Sequence, residues 1–245
     1  VPILKKDKPA NNPASYRPIS LLPIGGKLTE SLVLQKLDPY IEKRGLIPCI
    51  QTGFRKGYST SINLKRMYTH SYTKTIASTH RQPTCMTSFD AKKAFDSVYH
   101  IGFFHKCMKD GIPGIFIRFF RTWLNNRTMK VRIGETLSRS IRLLSGVPQG
   151  SVLAPEVWNL NTGDIPTTLS SHSDNAVYAD DTSTATSHRD IDTLMSLSQE
   201  EIWQLEEWTK RKRIKFEPSK TNVLAIHPNP SVRRKIKETQ LRSEE

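Results

Sequence analysis

The sequence predicts an α+β fold, on three observations. Two short apolar runs, residues 84–89 and 175–185, have strand chemistry and carry acidic residues at Asp90 and at Asp180-Asp181. Longer stretches repeat apolar residues at helical spacing, the longest being residues 191–208. Gly and Pro punctuate the boundaries between the two kinds of segment, with no internal repeat or low-complexity block.

From Val1 to Leu22, short apolar pieces stand among Pro, Asn and Lys, which suits extended strands and loops. After Gly25-Gly26, Leu28, Leu32, Leu37 and Ile41 fall near helical spacing; Pro39 marks a break or a second helix start, and Gly45 the stop. Thr60 is the expected N-cap of the next helix, whose apolar positions are Ile62, Leu64, Met67, Tyr68 and Tyr72. The strand 84–89 ends at Asp90 and gives way to a helix around Phe103, Phe104, Cys107 and Met108, closed by Gly111. Pro113 suits the first turn of a further helix, with Phe116, Phe119, Phe120, Trp123 and Leu124 on one core-facing stripe.

Residues 128–133 and 140–144 alternate polar and apolar across Gly134, which predicts a hairpin with Arg132 and Arg142 pointing outward. Residues 151–160 read as a helix entered from a loop containing Gly and Pro. Residues 175–185 read as two strands joined by a tight turn that exposes Asp180 and Asp181. Ile191, Leu194, Met195, Ile202, Leu205 and Trp208 mark a long amphipathic helix, followed by short strands near Ile214 and Val223. The charged tail after His227 is weakly patterned and expected to be poorly ordered.

Composition narrows the function classes. Thirty-seven Lys plus Arg oppose 23 Asp plus Glu, a net charge of +14 spread along all 245 residues, which favours a polyanionic partner such as nucleic acid. Cys49, Cys85 and Cys107 are far apart and odd in number, which suits a reducing compartment and argues against a zinc site. No apolar run approaches the roughly 20 residues of a membrane span, and no signal-peptide pattern opens the chain. The chain is therefore expected to be intracellular. It starts at Val1 in mid-strand without Met, which reads as a fragment boundary.

The candidate chemistry lies in Asp90, at the end of one strand, and Asp180 and Asp181, at the turn of another. Strands paired in one sheet would bring these carboxylates within reach of shared cations. Hard oxygen donors suit Mg²⁺, which binds through one or two carboxylates plus substrate phosphates. Two such ions about 3.5–4 Å apart clamp both the attacking and the leaving oxygen of an in-line phosphoryl displacement. An Asp-Asp pair in a turn equally serves to accept nearby backbone amides, so patterning alone leaves both readings open.

The string Thr87-Ser88-Phe89-Asp90-Ala91-Lys92-Lys93-Ala94-Phe95-Asp96 resembles motif A of reverse transcriptases, and Val177-Tyr178-Ala179-Asp180-Asp181 resembles their motif C. Between them, Ser145-Gly146-Val147-Pro148-Gln149-Gly150-Ser151-Val152-Leu153-Ala154-Pro155 is similar to motif B in its non-LTR retrotransposon form. Upstream, Tyr16-Arg17-Pro18-Ile19-Ser20-Leu21-Leu22 and Gln51-Thr52-Gly53-Phe54-Arg55-Lys56-Gly57-Tyr58-Ser59-Thr60 resemble the two fingers motifs of such elements. Downstream, Pro218-Ser219-Lys220-Thr221 resembles motif D. The strings cover nearly the whole chain in order. They resemble jockey-like or similar non-LTR elements, and the strings at residues 16–22 and Gly53-Phe54-Arg55 favour that branch over group II intron maturases.

The resemblance implies a right-hand polymerase with a ferredoxin-like palm sheet and packed helices. Fingers would span residues 1–83 and 112–148, palm 84–111 and 149–226, and a charged tail or thumb connection 227–245, with the thumb missing or incomplete. Partners would be an RNA template, a DNA primer and dNTPs, and the cofactor two Mg²⁺ ions, with Mn²⁺ able to substitute. Asp90 and Asp180 would hold the ions, with Asp181 beside them and the Ala91 carbonyl assisting. Arg17 would clamp the incoming triphosphate, aided by Lys5 or Lys6. Gln149 and Gly150 would lie against the templating base pair.

Phe95 would wall off a ribose 2′-OH, the alternative being a core aromatic; Lys220 would protonate leaving pyrophosphate, the alternative being an exposed turn lysine. Arg55 and Lys56 would contact nucleic acid. After motif B, Glu156-Val157-Trp158-Asn159-Leu160-Asn161 departs from the family's more apolar pattern, which keeps open a decayed, binding-only remnant. Family habit implies nucleus and cytoplasm; Lys210-Arg211-Lys212-Arg213 is either a nuclear signal or a solvated helix end.

Overall fold

The computed structural model describes residues 1–165, 173–239 and 241. By packing, the chain divides into two units: Val1–Leu46 with Phe95–Asn161, and Ile47–Ala94 with Thr162–Glu245. These limits are drawn at different positions from the fingers and palm boundaries given above.

In the first unit, β1 (Pro2–Leu4) pairs antiparallel with β2 (Tyr16–Pro18), setting Ile3 opposite Arg17. Helix α1 (Ile24–Arg44) runs unbroken through Pro39 and ends where Gly45 turns left-handed at φ 60°. Its expected apolar stripe is only half right: Leu37 and Ile41 are buried, whereas Leu28 and Leu32 are exposed and Glu30 takes the inward position. Short α3 (Ala94–Ser97) leads to α4 (His100–Lys109) and α5 (Gly114–Leu124). The last two pack through Phe103 and Phe120, both fully buried, with ring centroids 5.2 Å apart edge to face. Each such ring contributes about 1.5–3 kcal/mol through burial.

The expected hairpin forms in two pieces. Strand β4 (Thr128–Met129) pairs with β7 (Ile141–Arg142), and β5 (Arg132–Ile133) with β6 (Thr136–Leu137), around Gly134 at φ 56°. Arg132 and Arg142 are exposed, as anticipated. Helix α6 (Ala154–Thr162) starts later than expected, because the Ser151 hydroxyl accepts the Leu153 and Ala154 amides at 3.1 and 3.2 Å ahead of its first turn.

The second unit is built on a four-stranded antiparallel sheet of β3 (Thr84–Asp90), β8 (Ser173–Tyr178), β9 (Asp181–Ser187) and β10 (Asn222–Ile226). The order across the sheet is β10-β3-β9-β8, that is, 4-1-3-2 by appearance, the order of a β-α-β-β-α-β unit. Successive side chains alternate between its faces. Cys85 and Ala225 pack with Leu194 and Met195 of α7 (Ile191–Lys212) and with Ile236 of α8 (Pro230–Glu238). Met86, Ala176 and Ala185 pack instead with Met67 of α2 (Thr60–Ser71).

Three expectations in this unit need correction. Helix α2 has Ser59 rather than Thr60 at its N-cap position, continues into a π-helical turn (Tyr72–Ala77), and buries Asn63, Met67 and Ser71, leaving Leu64, Tyr68 and Tyr72 exposed. Asn63 turns inward because its Nδ2 donates to the Val177 carbonyl at 2.8 Å. No strand forms near Ile214; Phe216 makes a single bridge to Ala91. The tail is ordered as far as α8, whose Ile236 is fully buried, while residues 240 and 242–245 lie outside the described residues.

Candidate active site

The ladder between β3 and β9 sets Asp90 directly opposite Asp181. Strands β8 and β9 are joined through Ala179 and Asp180 alone, so Asp180 stands at the tip of a turn beside that pair. Ala179 adopts a left-handed φ of 58°, a conformation that costs a residue with a Cβ roughly 1–2 kcal/mol. The turn is held from behind by Gln51, which is 2% exposed. Its Oε1 accepts the Gly53 and Ala179 amides at 2.9 and 3.0 Å, and its Nε2 donates to the Ala179 carbonyl at 3.1 Å. Gly53 lies so close that any Cβ there would strike the Ala179 backbone. Gln51 and Gly53 were legible only as part of a motif string; their grip on the aspartate turn was not.

The strand end is wrapped by the segment after α7. Glu217 donates its amide to the Asp90 carbonyl at 2.9 Å, and Lys92 donates its amide to Lys215 at 2.7 Å. A 3₁₀ turn (Pro218–Lys220) then brings the Lys220 ammonium onto the Asp90 carboxylate as an ion pair. That hydrogen bond raises the Lys220 pKa. Burial first, then Asp180 and Asp90, push the Asp181 carboxyl above its usual range, with Lys220 opposing. The three carboxylates thus concentrate negative charge, and the Lys220 ammonium is drawn to it.

Among the described residues no three His, Cys, Asp or Glu side chains form a finished metal cage. The set nevertheless fits hard divalent ions, which take one or two carboxylates and complete their shell with phosphates and water. Asp90 and Asp180 supply such oxygens, and Ala91 follows Asp90 at the bridge to Phe216. Arg55, of the same unit, is braced inward: its Nη1 donates to the Pro48 and Gln51 carbonyls at 3.0 and 3.1 Å, and its guanidinium lies over the Tyr58 ring at 4.1 Å. Lys56 is exposed.

The remaining sequence-predicted residues belong to the first unit. Arg17 is exposed on β2, and Lys5 donates from Nζ to the Ala14 carbonyl at 3.0 Å, with Lys6 exposed beside it. The chain leaving β2 meets the motif B loop, where the Ser20 amide donates to the Gln149 carbonyl at 2.8 Å. Gly150, at φ 105°, lies against it; a Cβ there would come within 3.1 Å of the Ser20 carbonyl oxygen. Phe95 is half-buried against Trp158, centroids 6.1 Å apart, and its carbonyl accepts the Val147 amide at 2.8 Å. Gln149 donates from Nε2 to Asp96 at 3.3 Å. Arg17, Phe95, Gln149 and Gly150 are therefore linked through one loop, while Lys5 and Lys6 stay on the β1 side of it.

The family described as reverse transcriptase (RNA-dependent DNA polymerase) matches residues 3–241. The chain belongs to the reverse transcriptase family. It is similar to the probable RNA-directed DNA polymerases of the transposons X-element (34% identical over 90% of the chain) and BS (33% over 89%) of Drosophila melanogaster. It is also 30% identical, over 89% of its length, to the RNA-directed DNA polymerase of the mobile element jockey of that species. It spans 24% of the length of each of these three non-LTR relatives. Among solved structures, telomerase from Candida tropicalis with a fragment of telomeric RNA superposes with a TM-score of 0.61 at 14% identity, over 83% of this chain and 34% of that one. Telomerase from Candida albicans gives 0.55 at 13%, over 81% and 34%. These two likenesses establish a shared reverse transcriptase fold. No helix among the described residues is long and apolar enough to cross a membrane.

Proposed function

We infer that the chain is the fingers and palm of an RNA-directed DNA polymerase that adds dNTPs to a primer 3′-OH on an RNA template. The observation that carries this reading is the pairing of Asp90 with Asp181 across β3 and β9, with Asp180 at the adjoining turn. In this reading the 4-1-3-2 sheet is a ferredoxin-like palm. The net charge of +14 suits a nucleic-acid duplex, and the family relatives named as RNA-directed DNA polymerases supply the reaction class.

Asp90 and Asp180 would hold two Mg²⁺ ions, or Mn²⁺ in their place, with Asp181 and the Ala91 carbonyl beside them. Such ions, when bound, supply Lewis-acid stabilisation of the attacking and leaving oxygens. Lys220, ion-paired with Asp90, would serve as a proton donor to the departing pyrophosphate. Arg17, with Lys5 or Lys6, binds the triphosphate; Gln149 and Gly150 border the base pair; Phe95 restricts the sugar. Lys56 contributes to the nucleic-acid surface, and Arg55 shapes the loop that carries it.

A binding-only remnant is the second reading, favoured by Glu156 and Asn161, which are buried polar residues where the family pattern is apolar. Location in nucleus and cytoplasm is part of the first reading. Within the basic cluster, Lys212 pairs with Asp164 at 2.8 Å and Lys210 with Glu207 at 3.1 Å, which favours a helix end over a free signal.

Primer extension on an RNA template with Mg²⁺ or Mn²⁺ tests the proposal. Extension should occur and vanish in Asp180→Asn. Undiminished synthesis by that variant would sink the assignment. Salt-sensitive duplex binding without extension would favour the remnant.

A further inference from the structure

Glu30 stands in the second turn of α1, where an acid ordinarily faces water, yet it is 3% exposed. Its carboxylate is met by three donors. Oε1 accepts the Trp123 indole N–H at 2.8 Å; Oε2 accepts the Ser151 hydroxyl at 2.7 Å and the Val152 amide at 2.8 Å. Burying an ionised carboxylate costs several kcal/mol, offset only when hydrogen bonds replace the lost water. Apolar residues often fill such a position at lower cost; what this carboxylate adds is three directed hydrogen bonds to Trp123, Ser151 and Val152. Arg127 lies over the Trp123 ring, 5.9 Å from its centroid, with burial lowering its pKa and the Glu30 charge opposing that shift.

The donors identify what is being fixed. Ser151 and Val152 directly follow Gln149 and Gly150. On one side this loop is tied by the Phe95 carbonyl, Asp96, the Ser20 amide and His100, whose Nε2 lies 2.8 Å from the Gly146 carbonyl oxygen. Glu30 ties the other side. Ser151 relays the hold, because its oxygen also accepts the first amides of α6.

We propose that Glu30 is a positioning residue for nucleotide selection, acting through Ser151 and Val152 to set the place of Gln149 and Gly150. The inference rests on the polymerase reading above. In Glu30→Gln, volume is kept, but the amide NH₂ must face either the indole N–H or the Val152 N–H, so donor opposes donor.

The test combines steady-state single-nucleotide extension with hydrogen exchange on the full chain. In Glu30→Gln, exchange across residues 149–153 should accelerate while α4 stays protected. The KM for dNTP should rise on the order of tenfold, the size of one lost charge-assisted hydrogen bond. Misincorporation should rise with it, and kcat and primer-template affinity should change little. Ser151→Ala, which keeps the carboxylate and its bond to Val152, should move KM in the same direction by less, and it stands in should Glu30→Gln fail to fold. Lower thermal stability with unchanged KM in the folded fraction would mean a purely structural role and overturn the proposal, as would unaltered exchange in the loop. No extension by the unchanged chain would instead defeat the polymerase reading itself.

Discussion

Replacing Gly53 by Ala adds one methyl group against main chain that cannot move aside alone. A Cβ at that site would lie 2.2 Å from the Ala179 nitrogen, 2.8 Å from its Cα and 3.0 Å from the Tyr178 carbonyl carbon, where ordinary contact begins near 3.4 Å. The neighbours are backbone, so either the loop around Gln51 or the turn bearing Asp180 must shift by roughly 1 Å, a displacement that can cost about 10²-fold in rate. Overpacking of this kind destabilises by about 1–3 kcal/mol. Chemical denaturation would read the second quantity and single-turnover primer extension the first. Gly25→Ala is the matched control: nothing lies within 4 Å of its Cβ, and in α1 it should be neutral or slightly stabilising. Wild-type stability and extension in Gly53→Ala would refute the argument that this contact fixes the aspartate turn.

Asp181 gives a pH-dependent expectation. Its folded pKa is raised above the ordinary 3.8, so the unfolded chain ionises first as pH climbs, and folded stability falls through that window and stays lowered at neutral pH. Asp181→Asn should therefore raise the Tm at pH 7 in the absence of divalent ions and leave it nearly unchanged at pH 3; equal shifts at both would contradict the electrostatic cause. Ile236→Ala, at a fully buried position among Cys85, Leu194, Met195 and Ala225, should cost about 2–5 kcal/mol by urea titration, and a loss under 0.5 kcal/mol would show that α8 does not close this core.

The strands that carry Asp90, Asp180 and Asp181 were legible because their signal is local: an apolar run, an acid at its end, and a two-residue turn carry their own pattern. Helix positions were legible too, but their inward faces were less so. In α2 the apolar positions marked the helix but not its inward face: Leu64, Tyr68 and Tyr72 are exposed, whereas Asn63 goes in because a carbonyl more than a hundred residues away awaits it. The role of Glu30 is hidden in the sequence for the same reason: its three donors come from Trp123, Ser151 and Val152, and no local spacing announces them. In α8 only Val232 and Ile236 stand among the charges, too weak a pattern to mark a docked helix. Long-range polar partnerships are what sequence periodicity leaves out.

Ala179 sits in a backbone region where glycine or asparagine would rest more comfortably. A screen for thermostability would accordingly accept Ala179→Gly, whereas a screen for DNA synthesis would feel the freedom that glycine gives to the chain carrying Asp180. Libraries selected separately for endurance and for output should part company at this one codon, and only a selection for both would retain the alanine.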